Sequence, residues 1–145
     1  MLGTRQIYNR TECAVDVIFV LDESWSVLPK NFELSKSFLS ELVGRLDVDS
    51  GNGTRVGLVC YSDDVDHTEA FNLNEHSSVA SVQSAISSLT YSPGMTHTAA
   101  ALRYVREKML TSAAGDRADV PNLVIVMTDG DSTVNENDTK VCTQG

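Results

Sequence analysis

An α/β fold with a doubly wound, mostly parallel sheet and helices on both faces is predicted by two features of the chain. Short apolar runs, Val15 to Leu21, Val56 to Tyr61 and Leu123 to Met127, are β-rich and strand-sized, as strands buried on both faces are. Between them lie stretches whose apolar residues recur at helical spacing. Strands alternating with helices are most simply satisfied by parallel strands with crossover helices packed on the two faces of the sheet.

The elements follow in order. Val15 to Leu21 is the first strand, with Asp16 near its start, where the strand is expected to emerge from solvent. Pro29 suits a helix start, and Phe32, Leu34, Phe38, Leu39, Leu42, Val43 and Leu46 follow at helical spacing. Asp49-Ser50-Gly51-Asn52-Gly53 is a loop by composition. Val56 to Tyr61 is the second strand, and Ala70 to Leu73 a shorter third that pairs antiparallel with it. Ser78 is a suitable N-cap for a helix carrying Val79, Val82, Ile86 and Leu89, which Tyr91-Ser92-Pro93-Gly94 breaks. A further helix starts near Thr98 and buries Leu102, Val105 and Met109; Thr111 to Asp119 is a loop, and Leu123 to Met127 a last apolar strand.

Composition narrows the function. The 145 residues fit one domain, and 20 acidic against 11 basic residues give a net charge of −9. Such a field repels phosphate backbones, so no nucleic-acid partner is expected. No apolar run approaches the roughly 18 residues of a membrane span, and the N-terminus has no apolar core of a signal peptide, so neither membrane insertion nor a signal sequence is expected within this chain. The three cysteines, Cys13, Cys60 and Cys142, are too few for a disulfide scaffold, and neither they nor the scattered His67, His76 and His97 show zinc spacing. Three Asn-x-Thr sequons, at Asn9, Asn52 and Asn137, are glycosylation candidates and tilt the reading towards an extracellular chain.

In open α/β sheets ligands bind at the carboxyl ends of the strands, where strand order reverses. The first strand ends in Asp22-Glu23-Ser24-Trp25-Ser26, the last in Thr128-Asp129-Gly130-Asp131, and between them Gly94-Met95-Thr96-His97-Thr98 opens a helix. These segments are dominated by carboxylates and hydroxyls, a donor set for a hard cation, Mg²⁺ in particular. Two carboxylates and a few hydroxyls leave an octahedral ion short of ligands, which a partner can supply.

These same residues resemble the von Willebrand factor type A domain family. Asp22-Glu23-Ser24-Trp25-Ser26 matches its Asp-x-Ser-x-Ser motif, Gly94 to Thr98 its threonine loop, and Val126-Met127-Thr128-Asp129-Gly130 its second aspartate strand. Pro29 to Phe32, Thr54 to Val59 and Tyr61 to Val65 are similar to the matrix branch, the fibril-associated collagens and matrilins. The resemblance runs from about Cys13 to the end of the chain, with residues 13–145 as the domain and 1–12 as an N-terminal extension or linker. It implies a metal-ion-dependent adhesion site: Ser24, Ser26 and Thr96 offer hydroxyls, Asp22 and Asp129 hold the ion directly or through water, and a ligand carboxylate completes the shell. The ion is expected to be Mg²⁺, with Mn²⁺ and Ca²⁺ as alternatives. The implied partner is an extracellular protein with an acidic side chain, collagen or another matrix protein among the candidates.

Three departures stand out. Met95 occupies a place where small or polar residues are frequent. Cys13 sits where relatives carry a cysteine paired beyond the far end of the domain, a role open here only to Cys142. After Gly130 only a loop and the start of a helix around Thr139 to Gln144 remain, so a domain lacking its last strands and closing helix, and folding poorly alone, is expected.

Enzyme readings fail on particular atoms. A haloacid-dehalogenase-type phosphatase needs an acid where Ser24 stands, a nucleophile elbow needs glycines where Asp22 and Ser26 stand, and no phosphate-binding Gly-x-x-x-x-Gly-Lys loop occurs. The expectation is a non-enzymatic adhesion module. The alternative is a structural matrix domain that binds partners without the metal.

Overall fold

The computed structural model describes residues 14–49 and 51–130. The expectations for Cys13, Cys142, Asn9, Asn137 and the 139–144 segment lie outside the described residues.

 Among the described residues there are four strands and three main helices: β1 (Asp16–Asp22), α1 (Leu28–Val43), β2 (Arg55–Tyr61), β3 (Val65–Phe71), α2 (Val79–Ser88), α3 (Thr98–Tyr104) and β4 (Asn122–Met127). A π-turn over Val105–Met109 prolongs α3, and a short 3₁₀ turn covers Ser112–Ala114.

The sheet order is β3-β2-β1-β4. β1 pairs in parallel with β2 (Asp16 opposite Arg55 through Asp22 opposite Tyr61) and with β4 (Asp16 opposite Asn122 through Leu21 opposite Met127). β3 runs antiparallel to β2, with a register irregularity between Leu58 and Cys60. The chain thus moves outward from β1 to β2 and β3, then crosses back to the other side of β1. The reversal of strand order falls between β1 and β4, and the carboxyl ends of those two strands carry Asp22 and Thr128-Asp129.

Alternation along β1 divides the core in two. Val17, Phe19 and Leu21 pack with Phe32, Leu39 and Val43 of α1 and with Val82 and Ile86 of α2. Ile18 and Val20 pack with Ala101, Val105 and Met109 on the opposite face. A strand with a period of two between two helical layers must be apolar at nearly every position, which is why the run reads as continuous. Ser78 caps α2 as expected, its hydroxyl accepting the Ser81 N–H at 3.2 Å.

Several expectations need correction. Asp16 does not emerge into solvent: it is fully buried, and its carboxylate takes the backbone N–H of Arg117 at 2.9 Å and the guanidinium at 2.6 and 3.0 Å. Burial is tolerated because the charge is paired and both oxygens are hydrogen-bonded. Leu34 and Phe38 do not belong to the buried stripe of α1; they are 59% and 54% exposed, and Lys36 is buried instead. At 100° per residue, Leu34 lies about 200° round the helix from Phe32, on the opposite side. Lys36 reaches through the core edge to donate to the Leu89 carbonyl at 2.8 Å, its Nζ 5.9 Å from the centre of the Phe32 ring. Leu102 is only half-buried. β3 starts earlier than its apolar residues suggest, because Asp66 to Glu69 form an edge whose polar side chains need no burial. β4, expected as a fully apolar strand without outer neighbours, pairs among the described residues only with β1, leaving Leu123 and Val126 exposed.

Candidate metal centre

Three loops meet above the β1–β4 junction. The first leaves β1 at Asp22, a buried carboxylate held from two sides: Oδ1 accepts the Ser24 N–H at 2.8 Å, and Oδ2 accepts the Thr128 hydroxyl at 2.7 Å. The first of these bonds is an Asx-type turn, which bends the chain sharply at the strand end and brings both serines round. Ser24 Oγ lies 3.1 Å from Ser26 Oγ, and Ser26 Oγ donates to Asp129 Oδ1 at 3.0 Å. Asp22, Ser24, Ser26 and Asp129 are therefore joined in one hydrogen-bonded chain across residues far apart in sequence. A cleft of about 410 Å³ beside them is lined by Asp22, Asn31, Thr128 and Asp129 among others.

Thr96 is buried in the loop before α3. The segment around it is fixed by its backbone: Gly94 O accepts the Trp25 N–H at 2.9 Å, Met95 N–H donates to Asp63 Oδ1 at 2.8 Å, and His97 N–H donates to Ser62 O at 2.9 Å. A Cβ at Gly94 would stand 2.8 Å from the Asp63 carboxylate, which would have to shift from its bond to the Met95 N–H to make room. The Tyr91 hydroxyl donates to Ser24 O at 3.0 Å, and Tyr61 Oη lies 3.2 Å from Thr98 Oγ1. The threonine loop is thus tied directly to the serine loop. Trp25 and Met95 sit exposed beside it, and His97 is half-buried with Nδ1 3.2 Å from Asp63 O.

Beneath the site lies a group that sequence reasoning missed. Glu23 turns inward and is almost fully buried, its N–H bonded to Tyr61 O at 3.0 Å and its Oε2 accepting the Ser92 N–H at 3.1 Å. Burial pushes its carboxyl up to about 7, against the Ser92 hydrogen bond, and the charges of Asp66, Glu69 and Asp22 add to the rise. Glu23, Cys60 and Glu69 each bring a potential ligand atom within 4.8 Å of the others. Cys60 is a buried free thiol, as its place on a core strand suggests, and burial followed by Glu23 raises its pKa well above the ordinary value. The same burial raises Tyr61, against its bond to Thr98. Only the glutamate's position next to Asp22, at the end of a strand buried on both faces, could have signalled that it turns inward. Of the glycosylation candidates, Asn52 is exposed in the loop before β2.

Comparison with known proteins agrees with this architecture. The model of the von Willebrand factor type A domain matches residues 16–143. The chain is 41% identical over 120 residues to the mouse collagen alpha-4(VI) chain, covering 81% of this chain and 5% of that one. It is 38% identical over 125 residues to human matrilin-1, covering 86% and 25%, and 42% identical over 121 residues to human matrilin-4, covering 81% and 19%. The chain thus spans a quarter or less of the length of these relatives. Among solved structures, proximal thread matrix protein 1 of the mussel byssus, with a zinc-occupied MIDAS motif, superposes with a TM-score of 0.75 at 27% identity, over 90% of this chain and 33% of that one. With the motif loops, the parallel sheet and the family match in agreement, the chain belongs to the von Willebrand factor type A domain family.

Proposed function

We propose that this domain is a metal-dependent adhesion module of an extracellular protein, in which Asp22, Ser24, Ser26, Thr96 and Asp129 hold Mg²⁺ and the ion captures a carboxylate of a matrix protein. One observation carries the reading. The oxygens of Ser24, Ser26 and Asp129 follow one another at 3.1 and 3.0 Å. An octahedral Mg²⁺ with oxygens at about 2.0–2.1 Å sets neighbouring ligand atoms about 2.9 Å apart, so these residues fit the ion with little movement. The donor set is oxygen throughout, which favours a hard cation over zinc; Mn²⁺ and Ca²⁺ are the alternatives to be compared. Zinc in the mussel protein's motif supports occupation of such a site by a divalent cation, not the choice of zinc here.

The bound ion supplies a positive charge that reverses the sign of an acidic cleft. The protein's own residues prepare for it. Thr128 and the Ser24 N–H fix the Asp22 carboxylate, Tyr91 and Gly94 hold the serine loop against the threonine loop, and Asp129 closes the chain from β4. The Ser26 and Thr128 hydroxyls are engaged by the carboxylates that would hold the ion, and the reading is non-enzymatic. The collagen and matrilin relatives support a matrix setting, with Asn52 as an accessible glycosylation site. The test is solid-phase adhesion of the chain to collagen and to other matrix proteins in Mg²⁺ and in chelator. Adhesion lost in chelator and restored by Mg²⁺ is expected; equal adhesion in both would leave the structural-domain reading in its place.

A further inference from the structure

We propose that Asn52-Gly53, in the loop before β2, is a self-modifying site. The Asn52 side chain cyclises onto the Gly53 nitrogen and opens in water to isoaspartate and aspartate, and the isoaspartate product loosens the grip of Arg117 on this loop.

Of the asparagines in the chain, only Asn52 precedes a glycine. A glycine carries no Cβ, so nothing on that residue shields its backbone nitrogen from the asparagine Cγ before it. Asn52 is exposed, so water reaches the reacting carbonyls. Among the described residues no hydrogen bond holds the Asn52 side chain or the Gly53 N–H, which leaves both reacting groups unengaged. The fold also imposes the pair. A Cβ at position 53 would stand 2.5 Å from the Asp47 carbonyl oxygen and 2.8 Å from Asp49 Cβ, and that carbonyl is itself fixed by the Thr54 N–H at 2.8 Å.

Charge favours the first step. The Arg117 guanidinium donates to the carbonyls on either side of Asn52, to Gly51 O at 3.2 Å and to Gly53 O at 2.8 Å. A cation held against the loop stabilises the anion left when the Gly53 nitrogen gives up its proton. That nitrogen bonds to Asn52 Cγ, and the side-chain NH₂ takes a proton from water and leaves as ammonia. One water molecule then opens the succinimide. Breaking the bond from the Gly53 nitrogen to Cγ gives aspartate. Breaking its bond to the main-chain carbonyl carbon gives isoaspartate, whose backbone runs through Cβ and Cγ. The main chain is then longer by one carbon between two carbonyls that Arg117 holds together. Position 53 has no room to absorb the change, so the bond from Arg117 to Gly53 O gives way. Arg117 is also the partner of the buried Asp16, which carries the effect to the start of β1. An N-glycan on Asn52 would occupy the nitrogen that has to leave, so the two modifications of this residue exclude one another.

The test is incubation of the whole chain, made in a host that does not glycosylate, in mildly alkaline buffer, both native and unfolded in urea. Peptide mapping follows the loss of the Asn52 amide, and isoaspartate methyltransferase labels the isoaspartate product. In the native chain the Asn52 amide should be lost before that of every other asparagine, with the label on the peptide that holds residue 52. Retention of the amide in the native chain while the unfolded chain loses it would overturn the proposal, as would faster loss at another asparagine. The aged wild type should melt at a lower temperature than aged Asn52→Gln, whose longer side chain closes such a ring far more slowly. Asn52→Asp carries the new charge without the added carbon and should melt with the fresh wild type. A fall in Asn52→Asp as large as in the aged chain, or no fall in the aged chain, would overturn the loosening of the Arg117 grip.

Discussion

The hydroxyl of Thr128 donates to Oδ2 of Asp22 at 2.7 Å, joining the carboxyl ends of β4 and β1 across 106 residues. The next residue, Asp129, reaches the same loop through Ser26, so two neighbouring residues of β4's exit fasten the exit of β1. Both aspartates are therefore delivered to one place by backbone that the sheet has already fixed. Without a cation their like charges oppose one another.

Mg²⁺ should accordingly stabilise the fold. At a concentration one hundred times its dissociation constant the gain is about 2.7 kcal/mol. Asp129→Ala should abolish that gain, and in chelator it should match or exceed the wild type because the repulsion is relieved. Thermal unfolding with Mg²⁺ and with EDTA measures both. A wild-type transition that ignores Mg²⁺ would count against the site.

Thr96→Ala separates capture from folding. Its loop is held by the backbone of Gly94, Met95 and His97, so removing one hydroxyl should leave the transition temperature nearly unchanged. Mg²⁺-dependent adhesion should fall at least about tenfold, the loss of roughly one charge-assisted contact. Retained adhesion in this variant would remove Thr96 from the ligand set.

Glu23 gives the chelated protein a pH dependence of definite sign. Its carboxyl rises from 4.5 to about 7 because it is buried, so the folded state holds the proton more tightly than the unfolded one. The stability this confers is fully present below pH 4.5 and is lost as pH rises through about 7, a change of about 3 kcal/mol. Glu23→Gln should flatten that part of the profile. Urea unfolding at pH 5 and pH 8 in EDTA decides it, and an unchanged slope in the variant would mean that another group is responsible.

At the opposite end of β1, Asp16→Ala should cost about 3–5 kcal/mol, because it strands the Arg117 guanidinium in a largely buried position. Arg117 also donates to the carbonyls of Gly53 at 2.8 Å and Gly51 at 3.2 Å, so the loop before β2 should loosen as well. Hydrogen exchange of that loop, with denaturant unfolding, reads both effects. A loss below 1 kcal/mol would show that the pair contributes little.

Cys60 should resist alkylation in the native chain, since it is fully buried and its thiolate is disfavoured by burial and by Glu23. Labelling followed by peptide mapping should find it unmodified until the protein unfolds. Rapid native labelling would contradict its place on β2.

What could be read from the residues depended on how local the cause was. Asp22, Ser24, Ser26 and Asp129 were legible because strand ends and turn residues are written in consecutive positions. Asp16 was not, because the guanidinium that permits its burial lies 101 residues away. In α1 the pattern merged two stripes: Phe32, Leu39 and Val43 face the core, whereas Leu34 and Phe38 only share their chemistry. The position between them on the buried side belongs to Lys36, and although Glu33 pairs its charge from one turn earlier, the carbonyl of Leu89 that accepts its hydrogen bond has no sequence signature. Glu23 escaped for the same reason, since its inward turn depends on the backbone of Tyr61 and Ser92.

The parallel pairing of β1 with β4 has a mechanical consequence. Asp16 enters at one end of the sheet and Gly130 leaves at the other, so tension drawing these two points apart slides β1 along β4 instead of peeling them open. Under such shear the ladder's hydrogen bonds bear the load together rather than one after another. The cross-ties from Thr128 to Asp22 and from Ser26 to Asp129 lie at the far end of that same seam. An ion held there would act as a rivet through the pair of strands that carries the pull, so that the grip on a ligand and the resistance to stretching would rest on the same few oxygens.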